Sequence, residues 1–326
     1  MATLVQLSSG NIRSESGRGS NALQTLLSDL PFLSFMERNS GWELDATTFT
    51  WTPTTAASTA PARAIGSNFS ENTRTFPNAI TGSQRIHGDA VTTDITYLRD
   101  ANAGLANRDV QLEKDVARRL KTYGAAYEAL LFNGSGSSNT IIGLKTILDG
   151  TTNLPGYSVT RVKNAKDVAS SGDSLNIGDS AGQKKFLELL RTSLADVNTP
   201  TGIVINRSLW ARIETAAYER GLTAPGVNEF GQAITRFSGI ELVVVNDSTI
   251  ALNEPDDNVS PVTNTTSCYI MSPGEMRLSL VSNSGLAYMD WDHQDNAEKG
   301  KETWEIGAAW KIEVPESILR IRNIKL

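Results

Sequence analysis

Residues 133–146, NGSGSSNTIIGLKT, come close to the pattern of a phosphate-binding loop. Such a loop needs G-x-x-x-x-G-K-[ST] directly after a strand, so that backbone N–H groups meet the phosphate at a helix N-terminus. Here six residues separate Gly136 from Gly143, an extra residue precedes Lys145, and a long helix is predicted before the loop. The pattern therefore favours a helix terminator at Gly134, because glycine readily adopts the left-handed conformation that ends helices.

The two histidines of the chain, His87 and His293, are the residues that a hydrolytic triad would have to use. His293 lies in the acidic run DWDHQD. The carboxylates of this run, which could bind a cation weakly through oxygen, are Asp290, Asp292 and Asp295. The run lacks the spacing and the glycine of a calcium loop, so a solvated acidic loop is the favoured interpretation. We expect no catalytic residue, metal site or cofactor, and cation binding by the three aspartates is left open.

The cysteine count, the acidic runs and the net charge exclude further kinds of site. The single cysteine, Cys268, cannot form an intrachain disulfide and is expected to be a small buried apolar side chain. The acidic run NEPDDN at residues 253–258 is expected to be a solvated loop. A net charge of −6 argues against nucleic-acid binding as the main task, because proteins that bind phosphate backbones usually carry a basic face. Neither a transmembrane span nor a secretory signal is predicted.

The clearest predicted element is an amphipathic helix at residues 106–132. Its apolar side chains recur every three or four residues and form one stripe, which is expected to pack on a core. These residues are Leu112, Val116, Leu120, Tyr123, Tyr127 and Leu130. The residues expected on the opposite, solvated side are Lys114, Asp115, Arg118, Lys121 and Glu128. Asn107 is the predicted N-cap.

The segment before this helix differs in character from the rest of the chain. The apolar cluster ALQTLLSDLPFLSFM is broken by Asp29 and Pro31, which predicts a short helix followed by a turn. Residues 46–98 are rich in Thr and Ala and then alternate β-branched with polar residues, which predicts a long two-stranded excursion with a return strand near residues 90–98. The excursion has few large apolar residues, so it is expected to need a partner surface.

After Lys145 the sequence alternates between helical and strand patterns. Helices are predicted at residues 181–197 and 209–220, and buried strands at residues 202–208 and 239–247. The closing segment is strand-rich, and one face of it carries Ile306, Ala308, Trp310, Ile312 and Val314. The length of 326 residues exceeds the roughly 250–300 residues of a single core, so two packed lobes are expected in an α+β plan.

This order of elements resembles the major capsid proteins of tailed bacteriophages, which have the Hong Kong 97-type fold. The resemblance covers most of the chain and rests on the order and spacing of several phrases. These are WTP at residues 51–53 with RAIG at 63–66, EALLFNG followed by IIGL, GIVINRSLWARI, and SGIELVVVND. The divisions that it implies are an N-terminal arm at 1–45, an extended E-loop hairpin at 46–98, a first part of the P-domain at 99–165 with the spine helix 106–132, an α/β A-domain at 166–272, and return strands of the P-domain at 273–326.

The resemblance also implies a function. The chain would be a structural protein, not an enzyme, and would self-assemble into hexamers and pentamers of an icosahedral phage head around double-stranded DNA. It would be assembled in the cytoplasm of the host bacterium and would end in the virion. Its implied partners are other copies of itself, a separate scaffolding protein, a portal and decoration proteins, without a membrane. The expected inter-subunit contacts are Trp51, Arg63, Arg74 and Arg85, since aromatic residues and arginine are enriched at interfaces.

One departure from the family and several alternatives accompany this interpretation. No lysine precedes Lys114, so the covalent joining of subunits through an E-loop lysine, found in some members, is not expected. An encapsulin-like compartment shell would share the fold, and a nucleotide-dependent enzyme would use the loop at residues 134–146. A secreted adhesin is disfavoured by the missing signal.

Overall fold

The computed structural model describes residues 30–53, 78–94, 105–149, 160–169, 174–218, 223–227, 233–254, 264–282, 286–292 and 299–326. The helices in these ranges are α1 (Pro31–Arg38), α2 (Leu105–Asn133), α3 (Leu144–Leu148), α4 (Ser180–Leu194) and α5 (Arg207–Tyr218). Within the same ranges, no helix is both long enough and apolar enough to cross a bilayer.

The strands of the N-terminal half are β1 (Trp42–Leu44), β2 (Thr48–Trp51), β3 (Ile80–Ser83), β4 (Arg85–Asp94), β5 (Val162–Asn164), β6 (Leu175–Asn176) and β7 (Gly202–Asn206). The strands that follow are β8 (Thr223–Val227), β9 (Ala233–Phe237), β10 (Ile240–Val245), β11 (Thr265–Met271), β12 (Leu278–Ser282), β13 (Leu286–Asp292), β14 (Lys299–Ile312) and β15 (Ile318–Lys325).

An eight-stranded sheet separates two hydrophobic cores. Its order is β5-β15-β11-β7-β10-β9-β8, and β6 also pairs with β15. Successive side chains of a strand point to opposite faces. On β7, Ile203 and Ile205 therefore belong to the core beneath α4 and α5, whereas Val204 belongs to the core that contains α1 and the end of α2. The two cores therefore lie on opposite faces of one sheet, and the division of the chain into two packed lobes stays a prediction.

The second sheet is organised by the 14-residue strand β14. This strand pairs antiparallel with β12, β13 and β4, and the β4 ladder runs from Lys299↔Asp94 to Ala308↔Arg85. The predicted alternation is confirmed for the buried residues Ile306, Ala308, Trp310 and Ile312. Val314 lies beyond the strand, at the start of a 3-10 turn (Pro315–Ser317).

The predicted amphipathic helix is confirmed as α2, but two of its details are wrong. The helix begins at Leu105, so Asn107 lies inside its first turn and does not cap it. Glu128, expected in solvent, is completely buried. Glu128 is covered by α1, an element that the amphipathic pattern of α2 alone cannot reveal.

Two predictions for the N-terminal region also need correction. Pro31 begins a helix and does not end one, because its fixed φ and missing N–H suit the first helical position. The return strand begins at Arg85, earlier than predicted, and its partner is β14. The predicted helix before Asp29 lies outside the described residues. The later helices α4 and α5 and the strands β7 and β10 confirm the predicted elements within a few residues at each end.

Candidate assembly site

The hairpin formed by β2 and β3 is anchored on the return strands. Phe49 and Trp51 point inward from β2, and their rings stack with centroids 5.4 Å apart. The indole N–H of Trp51 donates to the carbonyl oxygen of Ile312 at 3.2 Å. Opposite them, a Cβ on Gly82 would lie 2.7 Å from the Phe49 ring, so this position requires glycine. Residues 54–77, which connect the two strands in sequence, lie outside the described residues.

The structure describes two of the four predicted contact residues, Trp51 and Arg85. Trp51 is only 4% exposed, so we correct its role to an anchor within its own chain. Arg85 is half-buried at the start of β4. Arg63 and Arg74 lie outside the described residues. Contact of the three arginines with a neighbouring subunit stays a prediction.

A cavity of about 120 Å³ opens beside the base of the hairpin. Its lining combines polar groups from β3 and β4 with apolar side chains from the loop after α2, from α3 and from β14. The lining residues are Thr81, Gly82, Ser83, Arg85, Ile141, Ile142, Ile147, Ala309 and Trp310. Strand β4 thus supplies both Arg85, which lines the cavity, and the next residue, Ile86, whose apolar side chain is 57% exposed.

The loop after α2 is closed by its own backbone. The N–H of Gly134 donates to Leu130 O at 2.9 Å, and the N–H of Gly143 donates to Gly134 O at 2.8 Å. A Cβ on Gly134 would lie 2.1 Å from Ile141 O. The helix does end at Asn133, as predicted, but Gly134 is not left-handed. Close approach of two backbone segments is the reason for glycine here.

The side chains around this loop bind other parts of the protein. The ammonium of Lys145 lies 3.9 Å from a carboxylate oxygen of Glu254, and α3, which follows Gly143, has only five residues. The N–H of Ile141 donates to His87 Nε2 at 3.2 Å. Burial lowers the pKa of His87, which favours the neutral imidazole that this bond needs. These contacts give the loop a structural role, in which it fastens β4 to the end of α2.

A buried ionic cluster fixes the C-terminus of α3 against β15. Arg320 is 2% exposed, and its guanidinium donates to both oxygens of Asp149 at 2.5 Å and to Glu254 at 2.7 Å. Burial lowers the pKa of Arg320, but Tyr269, Glu254 and Asp149 raise it by more, so the guanidinium stays charged. Glu254 belongs to the NEPDDN run. The prediction that this run is solvated is wrong for Glu254, because its carboxylate is buried in an ion pair with Arg320.

Helix α1 joins α2 to the eight-stranded sheet. Its Phe32 packs edge-on against Phe132 of α2, with ring centroids 4.7 Å apart. At the other end, the Arg38 guanidinium forms an ion pair with Glu241 of β10 at 2.7 Å. A Cβ on Gly202 of β7 would lie 2.3 Å from the Phe35 ring, so glycine makes room for α1. Sequence periodicity missed this helix, although the Pro31 start signal and the apolar run PFLSFM could have located it.

Among the described residues, the remaining candidate groups are not brought together in a catalytic arrangement. Cys268 is buried, which confirms its prediction, and burial raises the pKa of its thiol to about 12. In the part of the chain that the structure describes, no group of three or more His, Cys, Asp or Glu side chains could hold a metal ion. Asp290 and Asp292 lie on β13, while His293 and Asp295 lie outside the described residues.

No protein family model and no curated protein matches this sequence. Solved structures match along most of its length. The capsid of cyanophage A-1(L) is 13% identical with a TM-score of 0.58, and the match covers 90% of this chain and 93% of that chain. The holo-SrpI encapsulin of Synechococcus elongatus PCC 7942 is 11% identical with a TM-score of 0.55, covering 89% and 87%.

A third match is the capsid of a native GTA particle, which is 12% identical with a TM-score of 0.54 and 89% coverage of both chains. Each of the three alignments covers about nine-tenths of this chain. Identities this low carry information about the fold alone. The chain therefore has the Hong Kong 97-type capsid fold, which phage capsid proteins share with encapsulins.

Proposed function

We propose that this chain is the major capsid protein of a phage-type icosahedral head. The observation that carries the proposal is the match to the cyanophage capsid over 90% of this chain and 93% of that one, which leaves no large segment of either without a counterpart. The anchored base of the hairpin supports it. A hairpin fixed by Trp51 and by the ten-residue ladder of β4 with β14 can transmit force from a neighbouring subunit into the core.

The implied divisions are proposed with one revision. Residues 30–44 contribute α1 and β1 to the protomer body, so we limit the N-terminal arm to residues 1–29. The E-loop would comprise β2, β3 and the residues between them. The spine helix would be α2, and α4 and α5 would belong to the A-domain. Residues 273–326 would return β12–β15 to the P-domain and the shared sheet.

The proposed partners are other copies of the chain in hexamers and pentamers. A scaffolding protein, a portal and decoration proteins would act during or after assembly in the host cytoplasm. The net charge of −6 suits a shell that encloses DNA without adhering to it. The proposed role is structural, not enzymatic.

A second candidate is the shell of an encapsulin-like compartment. It is favoured by the match to the holo-SrpI encapsulin, whose TM-score of 0.55 is close to the 0.58 of the cyanophage capsid. Both candidates require self-assembly, and they differ in the contents and size of the shell.

The test is electron microscopy of the full chain and of a hairpin variant. The variant replaces residues 54–77 by Asn-Gly, which keeps β2 and β3 paired through a short turn. We expect closed shells or capsomer rings from the full chain, and from the variant a folded protein that forms no closed shell. Circular dichroism and the unfolding temperature verify that the body of the variant is intact.

Three outcomes decide between the proposals. Normal shells from the hairpin variant would refute the E-loop assignment. A full chain that stays monomeric at high concentration in a crowding agent would refute self-assembly. Small uniform shells that co-purify with an internal protein would favour the compartment, whereas larger shells that take up DNA would favour the phage head.

A further inference from the structure

The first turn of α1 is capped by a side chain from another helix. Its N-cap residue Leu30 makes no side-chain cap, and Pro31 has no N–H to offer. The next two N–H groups, of Phe32 and Leu33, both donate to Oε1 of Glu128 on α2, at 3.1 and 3.3 Å. A carboxylate in this position also faces the positive end of the helix dipole. Glu128 is therefore the cap that α1 lacks in its own sequence.

This capping carboxyl is buried, and only one of its two oxygens accepts hydrogen bonds from the described residues. Glu128 is completely buried, and among the described residues no group hydrogen-bonds to its second oxygen, Oε2. Burial raises the pKa of Glu128 to about 7, against the opposing effect of the Leu33 and Phe32 N–H groups. A carboxyl of this kind changes its charge at neutral pH, where an exposed glutamate stays ionised.

The elements packed around Glu128 carry other titratable or charged groups. These are Glu37 and Arg38 on α1, Arg85, His87 and Asp89 on β4, Arg118, Arg119, Lys121, Tyr123 and Tyr127 on α2, Glu241 on β10, Tyr269 on β11, and Glu305 and Lys311 on β14. None of them is among the causes that shift the pKa of Glu128. Arg38 is paired with Glu241, and Lys311 is paired with Glu43 and Glu313. The protonation of Glu128 is therefore governed by burial and by contact with α1.

We propose that Glu128 is a proton-operated latch that controls how firmly α1 is seated on α2. In the latched state a proton from solvent occupies Oε2, and Oε1 still accepts both N–H bonds. Loss of that proton leaves a full charge in an apolar site, whose cost is relieved when α1 lifts and admits water. Lower pH thus seats α1, and higher pH loosens it. The proposal concerns the protomer and does not depend on shell formation.

The latch would act on more than one helix. α1 contacts α2 through Phe32, β7 through Phe35 and β10 through Arg38, so it joins the long helix to the eight-stranded sheet within one core. It also fixes the point at which the first 29 residues join the body. Seating or lifting α1 would change both the stiffness of the protomer and the direction of that N-terminal segment.

The test is amide hydrogen exchange of the full chain between pH 5.5 and 8.5, corrected for the intrinsic effect of pH on exchange. With a pKa of about 7 when α1 is seated and the ordinary 4.5 when it is lifted, the lifting equilibrium falls roughly 30-fold from pH 8.5 to pH 5.5. The α1 peptide should gain protection by this factor. The peptide of α4 (Ser180–Leu194) should not follow it, which distinguishes local lifting from global unfolding.

Two variants complete the test. Glu128→Gln keeps an oxygen at the Oε1 position and has no charge, so α1 should be equally protected at all pH values. Glu188→Gln, on the exposed side of α4, should keep the wild-type slope. A wild-type α1 whose protection does not change with pH would overturn the proposal, as would a slope that persists in Glu128→Gln or is equally large in α4. The wild-type series decides the matter even if the glutamine variant folds poorly.

Discussion

Replacing Arg320 by methionine tests the buried ionic cluster. The substitution keeps most of the side-chain volume but removes the cation that donates to Asp149 at 2.5 Å and to Glu254 at 2.7 Å. Removal of one partner of a buried pair costs about 3–5 kcal/mol, because an uncompensated charge remains in the interior. Lys145 and Arg322 each lie 3.9 Å from one of the two carboxylates, so we expect the lower end of this range, about 3 kcal/mol.

The assay is denaturant unfolding followed by circular dichroism at pH 7, with equal protein concentrations. The triple variant Arg320→Met, Asp149→Asn, Glu254→Gln removes all three charges and should recover most of the stability. A single variant within about 0.5 kcal/mol of wild type at pH 7 would refute the reasoning.

Three further predictions address other contacts. Gly202→Ala places a Cβ 2.3 Å from the Phe35 ring, so the free energy of unfolding should fall by about 1–3 kcal/mol, and adding Phe35→Leu should restore part of it. Lys145→Ala should change the free energy of unfolding by less than about 1 kcal/mol. Calorimetry should detect no nucleotide binding by the wild type or by the variant. Nucleotide binding by the wild type alone would restore the enzyme hypothesis. The free energy of unfolding of the wild type should decrease as the pH falls below 6.5, because burial lowers the pKa of His87 and a protonated Nε2 cannot accept a hydrogen bond from the N–H of Ile141. His87→Gln should remove this part of the pH dependence. A pH profile of stability that is the same in the variant as in the wild type would contradict this role of His87.

Long periodic patterns were the reliable part of the sequence. The stripe through Leu120 and Tyr127 predicted α2 to within one residue at each end, and the alternation from Ile306 to Ile312 predicted the buried face of β14. Such patterns work because each element must bury one face, and the repeat of the element dictates which residues form that face. The order of these elements was sufficient to suggest the fold.

The polar residues of the candidate site were less predictable. Glu128 and Glu254 read as solvated charges, yet both are buried, because α1 covers the first and Arg320 pairs with the second. These partners lie 96 and 66 residues away along the chain. No local pattern records a contact at that separation, so sequence reasoning placed both carboxylates in water.

The sequence by itself determined the long helix α2, the helices α4 and α5, the buried strands β7, β10 and β14, their order, and the absence of a phosphate-loop pattern at residues 133–146, since these depend on local spacing. Only the tertiary structure decided that Trp51 is an anchor, that Gly134 is needed for close backbone approach, and that Glu128 caps α1. The physical reason is the same in each case. Burial, pKa and steric room at a residue are properties of the segments packed against it, and those segments come from distant parts of the chain.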